Sequence, residues 1–128
     1  MNLLLDTHIA LWAIADSPRL SPDARKLITS SKTTIWVSAA SIWEIAIKHS
    51  LGRANMPLSG HEALRYFNEA GYRLLPVDAQ HAAAVGDLPS HHQDPFDRIL
   101  VAQALLEPMR LLTHDPLVAR YSDTVIRV

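Results

Sequence analysis

Apolar and polar positions along this chain change their period several times, and the changes mark out its elements. A short apolar run, Leu3 to Leu5, stops at Asp6, and apolar residues then recur at helical spacing in "THIALWAIA". A strand followed by a helix is predicted there. In "SPRLSPDARKLI" the second Ser-Pro step, Ser21-Pro22, reads as an N-cap with proline at the first helical position. "TTIWVS" is β-branched and aromatic and predicts a second strand. "SAASIWEIAIKHSLG" predicts a helix that stops at Gly52. After the loop "RANMPLSG", "HEALRYFNEAG" predicts an amphipathic helix closed by Gly71, and "YRLLPV" a short strand. Asp78 caps a small-residue helix, "DAQHAAAVGDL", and "PSHHQD" is a loop. "PFDRILVAQALLE" is a helix, "MRLLT" a strand, "DPLVARY" a helical turn and "TVIRV" a last strand.

Strands therefore alternate with helices from end to end. That order predicts an α/β fold, a mostly parallel sheet of four to five strands flanked by helices. The 128 residues suit one domain, 1–128, and show no repeat or linker. With 48% hydrophobic and 20% charged residues the chain is of ordinary globular composition. No apolar run approaches the ~20 residues that span a bilayer. The opening "MNLLLDTHIALW" lacks a basic leader and is interrupted by an acid, so it does not read as a signal peptide. Absence of cysteine excludes disulfides and thiolate metal sites and fits a reducing, cytoplasmic setting. A formal net charge of −1 leaves contact with nucleic acid to a local patch or to bound cations.

The acids add the chemistry. Ligands of open parallel sheets bind outside the carboxyl ends of the strands. Asp6 and Asp115 follow predicted strands at that edge, and Glu44 lies about two turns into the helix after the second strand. Asp94 and Asp97 open the helix that leads into the fourth. Carboxylates gathered at one edge repel by several kcal/mol per pair at ~4 Å and an effective dielectric of ~20, and a divalent cation removes that cost. Oxygen ligands without cysteine point to Mg²⁺ or Mn²⁺ rather than zinc, and such a site suits phosphodiester hydrolysis.

Each acid also has a structural reading. Asp94-Pro95 is an N-cap with proline behind it, and Asp97 then meets the helix dipole at the third position. Asp115-Pro116 repeats the pattern, and Asp6 can cap its own helix. Glu44 precedes Lys48 by four residues, the order that favours a surface ion pair worth ~0.3–0.5 kcal/mol. Yet Ile42, Trp43, Ile45, Ala46, Ile47 and Leu51 surround it, which predicts a largely buried helix and an acid in need of a partner or a metal. Trp12, Trp36 and Trp43 fall in periodic apolar segments, where core packing is expected. His8, His92 and His114 each lie within two residues of a candidate acid, but no His-x-x-x-His pair supports zinc. Supporting roles suit them better, with His92 and His114 as candidates for substrate phosphate. Nucleotide cradles and the Gly-x-Ser-x-Gly elbow are absent.

"LLLDTHIALW", "VSAASIWEIAIK", "DPFDRILVAQA" and "LLTHDPLV", in this order and spacing, resemble the PIN-domain ribonucleases, and among them the VapC-like toxins of bacterial toxin–antitoxin pairs with a "DPFDR" motif. The resemblance covers essentially the whole chain. It implies a three-layer sandwich with a central parallel sheet, and an acid cluster that binds Mg²⁺ or Mn²⁺ and cleaves RNA. It implies catalytic and metal-ligating roles for Asp6, Glu44, Asp97 and Asp115, with Asp94 and Thr7 as auxiliaries. It further implies a homodimer and a cognate antitoxin that blocks the pocket. One departure is His8, where many members carry Asn or Ser, and it bears on substrate contact. Two other readings stay open. One is a non-catalytic PIN-like binding module. The other is a metal-dependent phosphohydrolase of small phosphate esters, which would want Asp-x-Asp where this chain has Asp6-Thr7-His8.

Overall fold

The apolar run at the start of the chain forms β1, Asn2–Leu5, and occupies the middle of a five-stranded sheet. The computed structural model describes residues 1–128. After β1 come α1 (Thr7–Ile14), α2 (Pro22–Thr29), β2 (Thr34–Ser38), α3 (Ala39–Ser50) and α4 (Gly60–Glu69). They are followed by β3 (Arg73–Leu75), α5 (Ala79–Ala84), a 3₁₀ turn at Val85–Asp87, α6 (Pro95–Leu106), β4 (Arg110–Thr113), α7 (Pro116–Ala119) and β5 (Val125–Arg127). Strand order is β3-β2-β1-β4-β5, and every pairing is parallel.

Successive side chains of a strand point to opposite faces, and the three leucines of β1 divide accordingly. Leu3 and Leu5 join Ile35, Val37 and Leu112 in a core covered by Ile9 of α1, Ala24 of α2, Ile45 of α3 and Phe67 of α4. Leu4 and Leu111 face the other way, against Leu100, Val101 and Ala104 of α6 and Val118 of α7. Burial on both faces explains why these strands read as continuous apolar runs rather than as alternating ones. Helices on both faces complete the three layers that the sequence predicts.

Helix boundaries follow local chemistry. Ser21, Ser38 and Ser59 cap α2, α3 and α4, and Asp6, Asp78, Asp94 and Asp115 cap α1, α5, α6 and α7. Gly60 lets α4 approach α3: a Cβ there would lie 2.9 Å from the Cβ of Ala46.

Two sequence expectations are corrected. Helix α3 is not buried all round: Glu44 and Ile45 face inward, whereas Ala46 is exposed and Trp43 is 62% exposed. Of the three tryptophans expected in the core, Trp12 and Trp36 are half-buried and pack against its two halves, and only Trp43 stands outside. An apolar helix can present one of its sides to solvent when the sheet covers only the other, and composition around the circumference does not say which. No helix is long and apolar enough to cross a membrane.

Candidate functional site

The chain leaves β1 for β2 on one side and joins β4 on the other, so the switch in strand order lies between β1 and β4. A crevice opens outside the carboxyl ends of strands at such a point. Asp6 stands immediately after β1 and Asp115 two residues after β4. Together with His8, Trp12, His114 and Arg127 they line a cavity of about 360 Å³.

Each acid has at least one oxygen held by the protein. Asp6 Oδ1 accepts from the Ile9 N–H at 2.9 Å, which caps α1, and Oδ2 accepts from the Thr113 hydroxyl at 2.5 Å. Thr113 in turn accepts from the Asp115 N–H at 3.0 Å, so one buried hydroxyl ties the first acid to the last. Asp115 Oδ1 accepts from the Leu117 N–H at 2.8 Å. Glu44, 3% exposed, has Lys48 Nζ 2.6 Å from Oε2, while its Oε1 is buried without a hydrogen-bond partner. The ion pair and the acid in need of a partner are thus both present, on different oxygens, and the pair is partly buried rather than on the surface. Asp97 Oδ2 lies 3.2 Å from His92 Nε2. Asp94 Oδ1 accepts from the N–H groups of Phe96 and Asp97, at 2.9 and 3.1 Å, and is the cap of α6.

Burial pushes the Asp6 carboxyl up to about 6. Its bonds from Thr113 and Ile9 oppose the rise, and the charges of Glu44 and Asp115 add to it. Burial likewise raises Asp97 to about 6, helped by the charges of Asp94, Asp6 and Glu44 and opposed by the His92 bond. Asp6, Glu44, Asp97 and Asp115 therefore share one electrostatic neighbourhood. Thr7 is not directed there: its hydroxyl donates to Ser41 at 3.0 Å and joins α1 to α3, three residues before Glu44. Lys48 pairs with Glu44 as the i,i+4 spacing predicts, whereas Thr113 escaped sequence reasoning as part of this neighbourhood. Thr113 stood in plain view between the strand and Asp115.

Histidine chemistry is distributed on two sides. His8 and His114 flank Trp12, with ring centroids 6.1 and 5.6 Å from the indole. Away from the crevice, Asp78, His81 and Glu107 bring ligand atoms within 4.8 Å of one another, a spacing compatible with a cation. There, however, His81 Nδ1 accepts from the Asp78 N–H at 3.1 Å and Nε2 lies 2.7 Å from Glu107 Oε2. A neutral imidazole has one acceptor nitrogen, and here it is taken.

The chain belongs to the PIN-domain family, whose pattern it matches over residues 3–123. It is similar to Ribonuclease VapC22 of Mycobacterium tuberculosis, 31% identical over 115 residues, which are 89% of this chain and 87% of that one. Among solved structures it resembles a chain of VapBC2 from Rickettsia felis bound to a DNA fragment from its promoter, with a TM-score of 0.71 at 19% identity, covering 100% of this chain and 98% of that one. A chain of a toxin–antitoxin complex from Klebsiella pneumoniae superposes with a TM-score of 0.67 at 16% identity, covering 97% and 95%.

Proposed function

We propose that this PIN-domain protein is a Mg²⁺- or Mn²⁺-dependent endoribonuclease, the toxin of a toxin–antitoxin pair acting in the cytoplasm. The observation that carries the reading is unmet valence: Glu44 Oε1 is buried without a partner, beside acids whose carboxyls are raised to about 6. Lys48 meets one oxygen of this buried anion and leaves the lone pairs of the other unused, a place for a second cation, and a set made only of carboxylate oxygens fits a hard one. The similarity to Ribonuclease VapC22 supports ribonuclease chemistry, and the toxin–antitoxin complexes among its structural neighbours support the partner.

Asp6 and Asp97 would hold the ion, with Asp115 and Glu44 completing the site directly or through water. An ion held there would supply the charge that favours ionisation of a water and offsets charge on phosphoryl oxygens, and the ends expected of the cut are 5′-phosphate and 3′-hydroxyl. The chain contributes the pre-set geometry. Thr113 fixes Asp6, Lys48 fixes Glu44 through one oxygen, and the cap bond of Asp115 occupies Oδ1 and leaves Oδ2. His8, Trp12, His114 and Arg127 offer RNA aromatic faces and a cation in the same cavity.

Trp12 also lines a neighbouring, mostly apolar groove of about 780 Å³ with Leu11, Ile14, Pro57, Leu58 and Tyr66. Trp12 is common to that groove and to the cavity of Asp6 and Asp115, so an antitoxin segment lying in the groove would end beside the acids and cover them. A homodimer is supported by the exposed Trp43, which meets Phe96 edge-on at 5.3 Å beside an apolar hollow of about 520 Å³.

The test is cleavage of total RNA by purified protein in Mn²⁺, in Mg²⁺ and in EDTA, with Asp97→Asn alongside. Discrete fragments that need the ion and vanish in the variant are expected. No cleavage, in a protein whose melting temperature ignores both ions, would leave a non-catalytic module.

A further inference from the structure

The stretch "HHQDPFDR", His91 to Arg98, contains groups that the nuclease reading leaves unused. His92 sits in the loop before α6, with Nε2 3.2 Å from Asp97 Oδ2 and Nδ1 2.7 Å from the Tyr121 hydroxyl. Tyr121 lies just beyond α7, the helix that Asp115 starts. Arg98 follows Asp97 directly. Its Nη1 donates to the Tyr121 hydroxyl at 3.0 Å, to the Pro89 carbonyl at 3.0 Å and to the His92 carbonyl at 3.3 Å. Its Nη2 donates to the Val85 carbonyl at 3.2 Å. One guanidinium thus fastens the loop to α6 and to the residue behind α7.

The direction of the chain of bonds follows from counting protons. A phenol has one proton to give. The Tyr121 hydroxyl receives N–H bonds from Arg98 and, at 3.3 Å, from the His92 backbone, so its own proton goes outward. The nearest acceptor is His92 Nδ1 at 2.7 Å, ahead of the His92 carbonyl at 3.3 Å. An Nδ1 that accepts leaves the proton of the neutral imidazole on Nε2, aimed at Asp97 Oδ2. Asp97 Oδ1 makes no hydrogen bond.

The other acids are held by neighbours that the fold supplies anyway: a cap N–H, a strand-end threonine, a lysine one turn along. Asp97 has no such neighbour: the bond from the Asp94 N–H that would close a capping box is not made, and His92 is its one side-chain partner. We propose that His92, held by Tyr121 and Arg98, is the positioning residue of Asp97: it fixes the carboxylate through Oδ2 and turns Oδ1 to the divalent cation. The proposal rests on the nuclease reading of the site. Hydrogen-bond partners of ligating carboxylates set their orientation, and losing one typically costs about 10- to 100-fold in metal affinity or activity. The same strap joins α6 to α7 and keeps Asp97 and Asp115 in step.

The experiment is Mn²⁺ titration calorimetry on wild type, His92→Ala, His92→Gln and Tyr121→Phe, with the His92 tautomer read from ¹⁵N shifts of the metal-free protein. His92→Ala should bind Mn²⁺ about 10- to 100-fold more weakly. His92→Gln, whose amide restores a donor near Nε2, should recover most of the loss. Tyr121→Phe keeps its ring and edge contact with His91, so it carries the same test where His92→Ala does not fold. It should weaken Mn²⁺ binding less and release the imidazole from a single Nε2–H tautomer. Unchanged affinity in His92→Ala, a Gln variant as weak as Ala, or an Nδ1–H tautomer in wild type overturns the proposal. A wild type that binds no Mn²⁺ sinks the nuclease reading itself, which separates the two failures.

Discussion

The crevice at the switch point and the Asp78–His81–Glu107 group both set carboxylates beside histidine, yet they differ in what is left over. At Asp78–His81–Glu107 the imidazole is 2% exposed and engaged at both nitrogens, and the two acids reach solvent with side chains 57% and 38% exposed. Its charges are compensated within the protein or by water. In the crevice, Glu44 has an orphaned oxygen and two aspartates hold their protons to about 6. Ligand atoms at cation-like spacing are found at Asp78–His81–Glu107, whereas the crevice acids are linked by the charges they exert on one another. Each region also has one buried oxygen without a partner, but beside His81 it is the neutral amide oxygen of Gln103, whereas in the crevice it belongs to a carboxylate, Glu44. The Asp78–His81–Glu107 group is a latch between the start of α5 and the end of α6; the crevice keeps a carboxylate oxygen free for a ligand.

Substitutions can break that contrast. Asp97→Asn should have the largest effect: RNA cleavage falls about a thousandfold or more, since the ion's share of transition-state stabilisation is several kcal/mol. Circular dichroism should show the fold intact, because Asp94 caps α6 without it. His81→Ala should do the reverse. Loss of a buried bond to a carboxylate costs about 1.5–3 kcal/mol in chemical denaturation, while Mn²⁺ affinity and cleavage stay as in wild type. Loss of Mn²⁺ binding in that variant would exchange the roles of the two regions.

Protons sharpen the contrast further. Asp6 and Asp97 rise from 3.8 to about 6 on folding, so the folded protein binds their protons more tightly than the unfolded chain does. Their contribution to stability is complete below pH ~4 and is lost as pH climbs through ~6. In EDTA, thermal scans should show that loss, and Asp97→Asn should remove part of it, gaining about 1–2 kcal/mol at pH 7. Mn²⁺ needs the ionised carboxylates, so its affinity should strengthen across the same window. The smallest effect is expected at the neighbouring acid. Asp94→Asn still caps a helix, so denaturation should move by a few tenths of a kcal/mol, and cleavage should fall far less than in Asp97→Asn.

Much of this was legible residue by residue. Ser21-Pro22, Asp94-Pro95 and Asp115-Pro116 announced helix starts because caps and prolines act over three or four residues. The alternation of strand and helix announced the layers. Glu44 was picked out for the right kind of reason and the wrong surroundings: its helix is open on the Trp43 side. Thr113 and His92 were not picked out as partners of the acids, because a hydroxyl or an imidazole shows its partner only once distant segments meet. The Asp78–His81–Glu107 group was invisible for the same cause, since 26 residues separate its tightest pair.

Sequence alone determined the order of elements, their caps and which acids stand at their ends, since each depends on short-range backbone chemistry and hydrophobic period. Tertiary structure decided the rest. Whether β4 lies beside β1, whether Asp6 shares a hydroxyl with Asp115, and whether Glu44 keeps an oxygen without a partner depend on contacts between segments up to 107 residues apart. Those contacts are selected by packing of both sheet faces at once, and no local pattern encodes them.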